Sequence, residues 1–247
     1  MVLPDLDAIA WLALCVGSMS VGISKTGLPG SNSVGIALFA AVLPARESTA
    51  AMLLLLILGD MLALALYRRH ADWRTLLRLT PSVIAGLVIG AAFLAFVGDA
   101  WVKRSIGVLL IGVVALTLWR RRAQQAAENH SGRGAAIAYG SLGGFTTMVA
   151  NAGGPVMSMY FLASRFSVNA FLGTAAWFFA IINIVKLPVS ISLGLITRET
   201  LWMDLLLIVP VLLGAAIGRA IVTRISRQTF DRIVVVLTLA GAVYLLF

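Results

Sequence analysis

Apolar runs of about 20 residues, the length that spans a bilayer core, recur from one end of this chain to the other. Lipid offers the backbone no hydrogen-bond partners, so only helices and closed barrels can cross it. The short alternating strands of a barrel are absent from the pattern. The chain therefore reads as an all-α polytopic membrane protein, a single transmembrane domain over residues 1–247. It is 60% hydrophobic and 12% charged, where a soluble domain carries about 25% charged residues. The longest polar stretch, 120–134, leaves no room for a separate soluble domain.

Of 29 formally charged side chains, 19 basic and 10 acidic, three are read as lying inside the apolar runs: Lys25, Asp60 and Lys186. A charge in hydrocarbon costs about 3 kcal/mol or more unless it faces a cavity or a partner. The net charge of +9 sits in short loops and is topology signal, so no nucleic-acid partner is expected. Cys15 is alone, which rules out an intrachain disulfide. Asp5 and Asp7 precede the first run without any Lys or Arg. A cleaved signal peptide has a basic start, so the first helix is expected to be retained.

Two of the apolar segments, 34–43 and 155–163, are short, and each follows a Gly-rich break, 24–33 (SKTGLPGSNS) and 150–155 (ANAGGP). The two halves resemble each other. At a spacing of 123, Gly17 meets Gly140, Gly30 meets Gly153 and Asp60 meets Asn183; at 128, Gly86 and Gly90 meet Gly214 and Gly218. This ordered internal repeat divides the chain at about 8–122 and 135–247, as transporter folds do.

Loops 68–78, 120–133 and 219–232 each carry +3, whereas the N-terminus and 198–204 (Arg198, Glu199, Asp204) are acidic or nearly balanced. All three basic loops should be cytoplasmic. If each broken pair crossed the membrane once, 68–78 and 219–232 would fall on opposite faces. If each pair enters and returns as a re-entrant hairpin, each half has three full crossings, the basic loops face inward and both termini lie outside. Charge favours the hairpin and makes the second half inverted relative to the first. Counting apolar segments alone gives about eight spans.

The first break places Lys25, Thr26, Gly27, Gly30, Ser31, Asn32 and Ser33 between apolar arms. Backbone N–H groups freed at a break need partners, and the next helix begins with its positive dipole end exposed, a ready anion site. Ser31, Asn32 and Ser33 are suitable N-caps. The second break offers Asn151, Gly153 and Gly154, one turn after Thr146 and Thr147. Capping and close packing alone would also explain these residue types. Lys186 lies mid-segment with Asn183 three residues earlier on the same helical face; snorkelling to an interface is its competing explanation. Asp60 could pair with either lysine, set the charge balance or carry a proton. Trp177 could line a cavity. Gly86-x-x-x-Gly90 and Gly214-x-x-x-Gly218 read as packing motifs.

His70 and His130 lie in basic loops and are read as ordinary solvated residues. No metal or other cofactor is expected. Enzyme motifs are missing: there is no Gly-x-Ser-x-Gly elbow, His-Glu-x-x-His or P-loop.

The stretch from Gly22 to Gly30 through Lys25 and Gly27 resembles the first glycine-rich signature of the sulfite exporter TauE/SafE family of membrane permeases. Gly143-Gly144 through Asn151, Gly153, Gly154 and Pro155 is similar to the second signature, and Asn183-x-x-Lys186-Leu187-Pro188 to the family's Asn-x-x-Lys. The similarity covers roughly residues 8–247, and Thr26 stands where the family often has another glycine. The resemblance implies movement of sulfur-containing anions, such as sulfite, sulfoacetate or other organosulfonates, across a bacterial cytoplasmic membrane, with direction and coupling open.

The reading is a secondary transporter of small anions working by alternating access. Lys25, Lys186 and the helix ends at Ser31–Ser33 and Gly153–Gly154 would hold the anion, with neutral hydrogen bonds from Thr26, Asn151 and Asn183. Its partners would be the anion, the bilayer and a coupling H⁺ or Na⁺, and a homodimer is compatible with it. The rival readings are a passive anion channel and a membrane scaffold or assembly factor without transport.

Overall fold

The computed structural model describes residues 4–26, 30–123, 133–164, 166–221 and 227–246, all of whose regular elements are helices. Gly27, His130 and much of the basic loops 120–133 and 219–232 lie outside the described residues. In chain order the helices are α1 (Ala8–Thr26), α2 (Asn32–Val42), α3 (Ala45–Tyr67), α4 (Trp73–Phe96), α5 (Asp99–Ala123), α6 (Arg133–Ala150), α7 (Gly153–Ala163), α8 (Val168–Ser192), α9 (Arg198–Ile221) and α10 (Arg227–Leu246). A 3-10 turn, Arg68–His70, follows α3.

Short polar side chains start several of these helices by accepting from orphan N–H groups of the first turn. Asp7 accepts from Ala10 N at 2.7 Å, Asp72 from Thr75 N at 2.8 Å, Ser167 from Ala170 N at 3.3 Å and Thr197 from Thr200 N at 3.1 Å. Ser31 occupies the N-cap of α2 without capping it; its hydroxyl donates back to Ser20 O of α1 at 3.0 Å. The expected cap is thus a tie between the arms. The first break is also shorter than expected: α1 continues to Thr26, so Lys25 and Thr26 belong to its last turn.

α1 and α2 run antiparallel as a hairpin. A Cβ added to Gly17 would meet the Phe39 ring at 2.9 Å, and one on Gly35 would meet Gly17 O at 2.8 Å. α6 and α7 fold back in the same way, with Gly143 against Met157 and the Tyr139 and Tyr160 rings 6.2 Å apart. The hairpins insert from opposite faces. α1 lies parallel to α9, since Met19 faces Gly214 and Ile23 faces Gly218. Its starting face also holds Pro4, Leu43, Glu47 and Thr197 around one crevice. α6 lies parallel to α4, with Ser141 against Gly86 and Met148 against Gly90. It starts from the face of the Arg68–Asp72 turn, where Thr174 accepts from Asp72 N at 2.9 Å.

Between apolar helices in lipid, close backbone approach replaces hydrophobic burial as the driving force. The glycine pairs serve this. A Cβ on Gly86 would lie 2.1 Å from Ser141 O, and one on Gly214 2.1 Å from Met19 O. Large apolar side chains meanwhile cover the outside, among them Ile9, Leu77, Val88, Phe96 and Val209, as a lipid-facing surface requires. Among the described residues, five helical segments are long and apolar enough to cross a membrane: Ala8–Thr26, Ala45–His70, Trp73–Phe96, Asn169–Ser192 and Arg198–Ala220. α2 and α7 have 11 residues each, a rise of only about 16 Å, and serve as half-length return arms. The protein is a multi-pass, all-helical membrane protein.

Candidate functional site: a buried network between the hairpins

Asp60 of α3 is 1% exposed and sits at the centre of a polar chain that joins both hairpins. Lys25, from the end of α1, makes an ion pair with Asp60 Oδ1. Gly59 makes room for the lysine stem, since a Cβ there would come within 2.8 Å of Lys25 Cγ. The same ammonium lies 4.9 Å from the centre of the Phe179 ring of α8, within range of a cation–π contact. Asn183 Nδ2 donates to the other carboxylate oxygen, Asp60 Oδ2, at 2.6 Å.

Lys186 lies one turn further along α8 and is 2% exposed. Its ammonium donates to Thr147 O at 2.7 Å, to Asn151 Oδ1 at 2.5 Å and to Asn183 Oδ1 at 3.4 Å. All three of these acceptors are neutral, and at 2% exposure the lysine does not snorkel to an interface. The two lysines are therefore linked through Asp60 and Asn183. With one carboxylate between two ammonium groups, the buried group as a whole carries a formal charge of +1.

Asn151 anchors the second tip. It is 6% exposed, adopts the left-handed backbone conformation (φ 53°) and donates through Nδ2 to Thr49 O of α3 at 2.9 Å. Asn is one of the few non-glycine residues that tolerates this conformation. In the first break Gly30 has φ 107°, so among the described residues each tip has one positive-φ residue. Asn32 Nδ2 reaches Asn151 O at 3.3 Å and connects the two tips directly, while its side-chain oxygen is buried without a hydrogen-bond partner among the described residues. Ser31 and Ser33 are both buried at the start of α2.

α7 begins at Gly153 and Gly154. A Cβ on Gly153 would crowd Thr147, whereas one on Gly154 would meet nothing within 4 Å. There is thus open space beside the α-carbon of Gly154 in the first turn of α7.

Two of the expected residues lie elsewhere. Thr26 donates to Gly22 O at 3.0 Å and to Ala215 O at 2.8 Å, in the contact between α1 and α9. Trp177 packs on Trp73 with ring centres 5.1 Å apart and donates from Nε1 to Arg68 O at 3.1 Å, at the basic turn after α3. Gly27 is outside the described residues. Gly59, Phe179 and the carbonyl of Thr147 are network neighbours that the sequence did not single out; Phe179 alone had a signal, its position four residues before Asn183. Asp204 was assigned to a nearly balanced loop. It belongs instead to α9 and is 5% exposed, so it joins Asp60 and Lys186 as a buried charge-bearing side chain.

Two surface crevices open on the face that α1 starts from. One, of about 30 Å³, is lined by Pro4, Leu43, Glu47, Ala51, Thr197, Glu199, Thr200 and Met203. The other, of about 320 Å³, lies among Pro44, Arg46, Glu47, Asp99 and 193–195. Neither lining includes a network residue.

No curated protein sequence and no solved structure matches the chain. The family profile described as "Sulfite exporter TauE/SafE" matches residues 11–245, which include both hairpins and every network residue. The chain belongs to the sulfite exporter TauE/SafE family.

Proposed function

We propose that the protein is a secondary transporter that carries a small sulfur-containing anion, sulfite or an organosulfonate such as sulfoacetate, across a bacterial cytoplasmic (inner) membrane. The observation that carries this reading is the pair of buried lysines held by the two hairpins, with a single carboxylate between them. A net +1 in a low-dielectric interior attracts a small anion as its counter-charge. Sulfite and sulfonate oxygens accept well from ammonium groups and from helix N-termini.

Lys25 and Lys186 are the proposed charge partners of the anion, with Asn151 and Asn183 as neutral donors. Ser31, Asn32, Ser33, Gly30, Gly153 and Gly154 line the two tips. Lys186 is already fully engaged with protein oxygens, so the anion binds by replacing some of those bonds. Asp60 sets the charge balance: it neutralises Lys25 while the site is empty and limits the site to one net positive charge. Thr26 and Trp177 act through packing.

In this reading the halves 8–122 and 135–247 are inverted repeats. One rocks against the other about the α3–α8 contact and exposes the network alternately to the two sides. The basic loops face the cytoplasm and both termini lie outside. The test is uptake of radiolabelled sulfite and sulfoacetate into proteoliposomes. Lys186→Met should reduce transport about 100-fold, the scale of roughly 3 kcal/mol for truncating a buried charged partner, while the protein remains folded in detergent. Wild-type transport in that variant refutes the site. Flux that never saturates and cannot support counterflow would identify a channel instead.

A further inference from the structure

Asp204 is used by nothing described so far. Both of its carboxylate oxygens are buried without a hydrogen-bond partner among the described residues, and the side chain is 5% exposed. It lies on the buried face of α9, one turn after Thr200 and one turn before Leu207. The hydroxyls of Thr197 and Thr200 are 2.9 Å apart and occupied with each other and with the start of the helix.

α9 packs against α1 and α3. The titratable groups on those elements are Cys15 and Lys25 on α1, and Arg46, Glu47, Asp60 and Tyr67 on α3. Lys25 and Asp60 are paired with each other, and Glu47 lies in the small crevice that also holds Met203, the neighbour of Asp204. None of them hydrogen bonds to Asp204. An ionised carboxylate without a partner is not tolerated in such a place, whereas a protonated one is.

We infer that Asp204 is a proton-binding site that couples proton movement to transport. While α9 sits against α1 and α3, the carboxyl group holds its proton. When the first turns of α9 shift away from α3, Asp204 meets the crevice lined by Pro4, Glu47, Thr197 and Thr200, releases the proton to water there and becomes a solvated carboxylate. The crevice of about 30 Å³ already has room for a water, which needs about 10–15 Å³ of such space. Thr26 ties α1 to Ala215 of α9 next to Lys25, so the helix that would expose Asp204 is joined to the helix that carries one of the two lysines. This inference rests on the transport reading for its coupling step but not for the proton site itself.

Infrared difference spectroscopy of the purified wild-type protein, titrated through neutral pH, reads the proton directly. A protonated-carboxyl C=O band should be present at neutral pH, disappear in Asp204→Asn and remain in Asp60→Asn. Absence of the band in the wild type, or its persistence in Asp204→Asn, overturns the proposal. In proteoliposomes under an imposed pH gradient, Asp204→Asn should retain counterflow of radiolabelled sulfoacetate but lose accumulation, its inside-to-outside ratio falling to unity. Accumulation equal to wild type, or dependence on a sodium gradient instead, overturns the coupling. If the wild type moves no sulfoacetate, the transport reading fails while the band still decides the proton site. Asp204→Leu, also neutral, gives the same readings should the amide not be tolerated.

Discussion

Each hairpin meets a lysine in the interior, yet the two lysines are compensated in different ways. Lys25 rides on the first hairpin itself, faces a carboxylate and an aromatic ring, and keeps 14% of its side chain exposed. Lys186 comes from α8, reaches the tip of the second hairpin and meets only neutral oxygens there while almost fully buried. A buried cation with neutral acceptors is the more poorly balanced of the two, and that places the stronger pull on an incoming anion at Lys186. The first tip contributes a balanced charge pair; the second contributes the unbalanced charge.

The sharpest way to break this comparison is to remove each lysine in turn. Lys25→Met leaves Asp60 as an uncompensated buried carboxylate and should cost about 3–5 kcal/mol of stability. Lys186→Met leaves only a carbonyl and two amide oxygens short of a donor, about 1–3 kcal/mol. Thermal denaturation in detergent checks the order; equal losses would mean that the two cations are balanced alike. Next in size is Asn183→Asp, which puts a second carboxylate beside Asp60 and cancels the net positive charge. Sulfoacetate affinity should fall about tenfold, or ~1.4 kcal/mol, in a titration of the purified protein, and unchanged affinity would remove charge balance from the account.

The packing correspondence can be tested separately from the charges. Gly86→Ala and Gly214→Ala each force a Cβ against a facing carbonyl and should destabilise by about 1–3 kcal/mol. A large effect in one half and none in the other would show that α4–α6 and α1–α9 are not equivalent contacts. Smallest of all, Trp177→Phe removes one hydrogen bond worth about 0.5–1.5 kcal/mol at the basic turn and should leave transport unchanged.

Much of this arrangement was legible in the sequence for physical reasons. A charge inside a long apolar run needs a partner, and Lys25, Asp60 and Lys186 do find one another through Asn183. The repeat spacing of 123 even pairs the two residues that share a hydrogen bond, Asp60 and Asn183. Loop charge favoured hairpins over straight crossings, and the antiparallel contacts of α1 with α2 and of α6 with α7 are hairpin contacts. What escaped detection has a physical reason too. Asp204 follows Arg198 and Glu199 closely enough to pass for the polar end of a loop, and only tertiary packing buries it. Ser31 has the right side chain for a cap but is drawn to the Ser20 carbonyl by the fold of the hairpin. Trp177 shares α8 with Lys186 but lies more than two turns before it, against Trp73 and Arg68. Backbone acceptors such as Thr147 O leave no mark on sequence at all.

The central claim, that the lysines of this network hold a sulfur-containing anion, is tested most directly by the melting temperature of the purified protein with and without sulfoacetate or sulfite. A ligand at 100 times its Kd adds about 2.7 kcal/mol to the folded state. The account predicts that one of these anions raises the melting temperature of the wild type and leaves that of Lys186→Met unmoved. An equal rise in both proteins, or no rise in the wild type with either anion, would contradict it.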